Sequence, residues 1–179
     1  MMKGPKKTSP ARRLALGAVM AAAGTALMLL GGVIPVFTYV SPLLASLFLI
    51  PADCAVGKKA AWAVWVITAG LTLLLGADKE AAFFYVFFSW YPLLKPVLDR
   101  IGNRWIRLTV KSLLFALCGA VLLLLTVLVL GIGENLTESP GLHLADLAFL
   151  FALILCMLLF DRALEKITPR VRTLTEQIL

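Results

Sequence analysis

The residues best suited to chemistry lie in one apolar stretch, Ala81–Arg100, AAFFYVFFSWYPLLKPVLDR. It carries Tyr85, Ser89, Trp90, Tyr91 and Lys95, with prolines at 92 and 96. On a helix Phe84, Phe88, Tyr91 and Lys95 are spaced four, three and four residues apart and share one face. Tyr85, Ser89, Pro92 and Pro96 repeat that spacing on the adjacent face. Hydroxyls, an indole and an amine in this arrangement would suit hydrogen bonding to a small solute. The prolines free backbone carbonyls, which a membrane tolerates where they face a cavity or find partners. Trp90 falls near mid-helix, too deep for an interfacial belt, and this favours a lining role. The same residues could instead serve ordinary interhelical contacts. Lys95 either reaches back to the interface, against Asp99, or is a buried charge used in gating. Lys79 and Glu80 are either solvated loop charges or the mouth of an outward-facing pocket.

Chemistry of other kinds is missing. His143 is the only histidine, which excludes paired-histidine metal sites and HExxH proteases. The chain has no GxSxG elbow, P-loop or GxGxxG. Asp146 and Asp161 stand at opposite ends of one apolar segment, so no aspartate pair is expected. Cys54, Cys118 and Cys156 show no metal or redox spacing, and apolar neighbours make Cys118 and Cys156 packing residues. No enzyme, cofactor or metal is expected.

The elements that would position these groups follow from composition. Of 179 residues 61% are hydrophobic and 15% charged, with a mean hydropathy of +0.95, which no water-exposed surface of this size could carry. The chain is expected to be an integral membrane protein of one helical domain. Its net charge of +7 is distributed at segment ends, where it sets orientation and meets the lipid bilayer; nucleic acid is not an expected partner.

Leu14–Ile34 forms the first expected span, its 21 residues covering a hydrocarbon core of ~30 Å at ~1.5 Å per residue. Ala18, Ala22 and Ala26 repeat every four residues, and Gly17, Ala21 and Thr25 make a neighbouring row. Small rows of this kind let helices approach closely. Packing against the chain's own helices and docking of another subunit both satisfy the pattern. Val36–Val56 holds the second span, interrupted by Pro42 and Pro51. Its uninterrupted part is short enough that folding back is the alternative. Ala60–Gly76 is the third span, with Trp62 and Trp65 near its start as interfacial anchors, and Ala81–Arg100 the fourth. Residues Asp99 to Lys111 read as a basic linker, Leu108–Gly131 as the fifth span, and Leu142–Phe160 as the sixth.

Six spans with an internal amino terminus place sixteen of the 17 Lys and Arg on one side, leaving only Lys79 outside. The positive-inside rule demands such an asymmetry, so folding back of the second span is rejected. The expected fold is therefore all-α and polytopic, with six transmembrane helices and both termini cytoplasmic. Residues 1–13 form a basic cytoplasmic start, 14–160 the membrane domain and 161–179 a charged cytoplasmic tail.

Six short helices, cytoplasmic termini, this length and an alanine-rich first helix resemble the substrate-binding S component of energy-coupling factor transporters. The resemblance implies that Ala18, Ala22 and Ala26 dock a coupling transmembrane subunit served by ATPases. It implies a vitamin-like or trace-metal solute held near the outer leaflet by helices 4 to 6 and the loop between helices 1 and 2. The matching residues are Tyr85 and Ser89, His143 and Asp146, and Phe37, Thr38 and Tyr39. Nickel and cobalt members begin Met-His, whereas this chain begins Met1-Met2-Lys3, which argues against a metal solute.

The expected function is thus a small-solute-binding subunit of the bacterial cytoplasmic membrane, energised by partners. A self-sufficient small permease and a non-transporting scaffold are the alternatives.

Overall fold

A computed structural model describes residues 10–32, 37–76, 78–130 and 144–178. Among these residues the structure is helical and contains no strand. Its eight helices are α1 (Pro10–Gly31), α2 (Val40–Ser46), α3 (Leu49–Val56), α4 (Lys58–Leu75), α5 (Lys79–Phe88), α6 (Tyr91–Leu98), α7 (Arg104–Leu130) and α8 (Leu144–Ile178). Five helical segments are long and apolar enough to cross a bilayer: Ala11–Gly31, Lys58–Leu75, Lys79–Leu98, Arg104–Thr126 and Leu147–Thr175. Val40–Val56 is apolar but shorter. Among the described residues five helices thus reach spanning length, and the expected second span, already short in the sequence, falls below it.

Both interrupted segments break at a proline. Pro51 has no N–H to give the Leu47 carbonyl, and its ring crowds that carbonyl. The Leu47 oxygen accepts instead from Ile50 at 3.2 Å, a three-residue step. Leu47 (φ −64°, ψ −26°) and Phe48 (φ −67°, ψ −17°) keep right-handed helical angles, so α2 runs into α3 through a tightened turn. Pro92 acts likewise on the Phe88 carbonyl, and the Trp90 carbonyl accepts from Leu93 at 3.0 Å. Pro96, inside α6, removes a further bond from the Pro92 carbonyl.

The helices form two compact units, Met1–Lys95 with Leu164–Leu179, and Pro96–Ala163. In the first unit α1 packs against α4, α2 and α3, while α5 rests on α2 and α4. The seam is built from small residues. A Cβ at Gly24 would lie 3.4 Å from Thr68, and one at Gly31 only 2.3 Å from Ser41. Ala21 and Thr25 are buried in the same seam, and Thr25 Oγ1 donates to the Ala21 carbonyl at 2.9 Å. Ala18, Ala22 and Ala26 are exposed. One small row therefore serves internal packing and the other does not. Gly57 alone separates α3 from α4, with φ at 103°, a left-handed angle that favours glycine.

In the second unit Gly119 brings α7 close to α8: a Cβ there would lie 3.0 Å from Leu150. At 35 residues and about 1.5 Å per residue, α8 is ~52 Å long, well beyond a ~30 Å hydrocarbon core.

Candidate functional site

Two groups of polar residues in the first unit are candidates, one at the helix ends and one within the helices. Asp78 caps α5, its Oδ1 accepting from the Ala81 amide at 3.0 Å. Its Oδ2 accepts from Thr38 Oγ1 at 2.8 Å, and Tyr39 Oη donates to Glu80 Oε1. These contacts tie the link before α2 to the first turn of α5. Burial raises the Tyr39 phenol above its usual range, and the Glu80 hydrogen bond and the Glu80 and Asp78 charges add to that. The Tyr39 ring meets Phe84 edge-on at 5.5 Å, and Phe84 stacks on Phe88 at 4.7 Å. An aromatic column thus runs from the helix end down α5. Lys79 Nζ donates to the Leu73 carbonyl at 2.7 Å, near the end of α4.

The second group surrounds Tyr85 and Ser89. Tyr85 is 1% exposed and clusters with Met28, Ala45, Ala69 and Ala81, with Trp65 packed alongside. Its phenol is within hydrogen-bonding reach of Thr68. Ser89 is fully buried and donates to the Pro42 carbonyl at 3.1 Å. Tyr91 is buried and Trp90 partly so. Tyr85 and Ser89 are therefore engaged between helices, and Thr38, Tyr39 and Glu80 meet at the helix ends. His143 and the side chain of Asp146 lie outside the described residues.

Two buried side-chain groups have no hydrogen-bond partner among the described residues: Ser41 Oγ and Trp65 Nε1. Ser41 sits beside Gly31 and next in sequence to Pro42, while Trp65 borders the Tyr85 cluster. A buried donor left unpaired costs about 1–3 kcal/mol, which makes the two groups candidates for contact with a ligand or water. Sequence inspection passes over Ser41 and reads Trp65 as an interfacial anchor, because neither residue type is unusual in an apolar helix.

Among the described residues two of the lysines are buried. Lys95 is buried and lies 3.7 Å from Glu165, which is half exposed. In the second unit α7 begins at Arg104, four residues before the expected start of the fifth span at Leu108, and Lys111 lies within it as expected. Lys111 is 2% exposed, and its ammonium contacts Asp99 at 2.7 Å and Asp161 at 2.8 Å. A buried ammonium needs such partners, since its desolvation costs several kcal/mol. Among the described residues no group of histidine, cysteine and carboxylate side chains has metal-binding geometry.

Comparison with protein-family models, with curated proteins and with solved structures gives no match to this chain.

Proposed function

We propose that the chain is a substrate-binding membrane subunit that holds a small, vitamin-like solute and acts with partner proteins. It works as an S component does, with six passes, cytoplasmic termini and a bacterial cytoplasmic membrane as its setting. The observation that carries this reading is the pair of unpaired buried donors, Ser41 Oγ and Trp65 Nε1. Both belong to the unit that also carries the Thr38–Asp78 and Tyr39–Glu80 contacts. A solute with acceptor groups and a flat face would satisfy the donors and pack on the aromatic column. The exposed row Ala18, Ala22 and Ala26 is left for a coupling subunit that supplies the energy. Native mass spectrometry of the gently purified protein tests this. A retained small molecule and co-purifying subunits are expected, and Ser41→Ala with Trp65→Phe should weaken the former. Protein that carries neither ligand nor partner counts against the proposal.

The engagement of Tyr85 with Thr68 and of Ser89 with Pro42 favours a second reading, a scaffold whose polar groups hold its own helices. Thermal stabilisation by a specific solute separates the two, since a scaffold would show none.

A further inference from the structure

Resting on the solute-binding reading above, we infer that the solute held by the first unit is uncharged: a ring bearing neutral carbonyl-type acceptors, and not an acid, a phosphate or a cation. Residues 14–31, 40–52, 60–75 and 81–94 make up the apolar lengths of α1, of α2 with α3, of α4, and of α5 with α6. None of these stretches contains Asp, Glu, Lys, Arg or His. The ionised side chains of the unit stand at segment ends or on the tail. Lys95 follows the last stretch and lies 3.7 Å from Glu165. Asp53, Lys58 and Lys59 flank the elbow between α3 and α4, and Asp78, Lys79 and Glu80 stand at the start of α5.

The buried hydroxyls between those ends are already engaged. Thr25 donates to the Ala21 carbonyl at 2.9 Å, Ser46 to Leu43 at 2.6 Å, Thr72 to Thr68 at 2.8 Å and Ser89 to Pro42 at 3.1 Å. Tyr85 is engaged by Thr68. Among the described residues the unpaired buried groups are Ser41 Oγ and Trp65 Nε1, both neutral donors. Ser41 sits against Gly31 and one turn before Ala45, and Ala45 belongs to the cluster on which Trp65 packs. An amide, lactam or ring carbonyl matches such donors. A carboxylate, phosphate or ammonium brought among these helices gives up its water and meets no opposite charge, a penalty that neutral hydrogen bonds do not offset. The edge of the unit adds to the bias against anions. Thr38 and Tyr39, just before Ser41, are tied to Asp78 and Glu80, and the lysine between those acids donates to the Leu73 carbonyl at 2.7 Å.

The test titrates detergent-purified full-length protein with two sets of rings that share a skeleton and differ in charge. One set is nicotinamide, nicotinate and the N-methylpyridinium form of nicotinamide; the other is indoleacetamide, indoleacetate and tryptamine. Bound compound is counted by native mass spectrometry at neutral pH. In any set that binds, the neutral amide is expected to be held at least about tenfold more tightly than its charged relatives. Ser41→Ala and Trp65→Phe, made singly, should each weaken the amide by about threefold or more. A charged member held as tightly as its amide overturns the proposal, as does amide binding that neither variant changes. Should neither set bind, the protein is denatured and any small molecule it releases is identified by tandem mass spectrometry. A compound with no ionised group at neutral pH supports the proposal, and a carboxylate, phosphate or ammonium overturns it. No binding together with no released molecule removes the solute-binding reading itself, a result distinct from a charged solute in the site.

Discussion

Ser89 Oγ donates to the Pro42 carbonyl across 3.1 Å, fastening the break between α5 and α6 to the first turn of α2. The serine sits where Pro92 has interrupted the helix, and Pro42 opens the segment that Pro51 interrupts nine residues later. A hydroxyl-to-carbonyl bond in a fully buried place does more than fill space, because neither group has water as an alternative.

Ser89→Ala should lower stability by roughly 0.5–1.5 kcal/mol, near the value of one buried hydrogen bond. The midpoint of unfolding in mixed micelles measures it. An unchanged midpoint would show that the bond contributes nothing.

Gly31→Ala should destabilise by about 1–3 kcal/mol, since the new methyl meets Ser41 at 2.3 Å between two backbones. Gly70→Ala is the counterpart: nothing lies within 4 Å of the added carbon, and helix propensity gains about 1 kcal/mol. Opposite shifts in melting temperature are expected.

Lys111→Met leaves Asp99 and Asp161 facing each other without their shared ammonium. A loss of the order of 3 kcal/mol is expected, as for other buried pairs stripped of one partner. Lys58→Met, which removes an exposed charge, should stay within about 0.5 kcal/mol. Comparable losses would mean that the buried site is not special.

The raised Tyr39 phenol predicts an alkaline loss of stability. The folded state holds this proton more tightly than the unfolded chain does. Its contribution is complete below the ordinary phenol value of about 10 and is lost as pH rises through the higher folded-state value. Thermal melts above pH ~10 should therefore decline more steeply for wild type than for Tyr39→Phe. Superimposable curves would refute the linkage.

Ala21→Leu should destabilise the protein by about 1–3 kcal/mol through overpacking of the α1–α4 seam. Ala22→Leu projects from the exposed row and should leave stability within about 0.5 kcal/mol. If that row docks a subunit, Ala22→Leu abolishes co-purification while Ala21→Leu acts on the fold. Undisturbed association in Ala22→Leu removes the docking role.

The helical character was legible in the sequence because long apolar runs leave a backbone in lipid few alternatives. The two helix breaks were legible in Pro51 and Pro92. The choice between small rows was not, since Gly17, Ala21 and Thr25 differ little in type from Ala18, Ala22 and Ala26. Only the neighbouring helices decide which row is covered. Lys111 was hidden among Arg100, Arg104 and Arg107, and its partner Asp161 stands fifty residues away. Tyr85 and Ser89 announce themselves as polar, but the partner of Ser89 is a backbone carbonyl, which carries no signature of residue type. The unpaired Ser41 and Trp65 emerge only once their surroundings are known.

The single glycine between α3 and α4 has a consequence for biogenesis. An elbow one residue long gives the two rods no slack, so neither can enter lipid while the other waits outside. Lys58 and Lys59 sit at that elbow, and carrying either through the bilayer centre would cost about 2.5–3.5 kcal/mol. In the proposed membrane setting the pair of rods would insert as one closed hairpin, with its elbow left behind on the face where it was made.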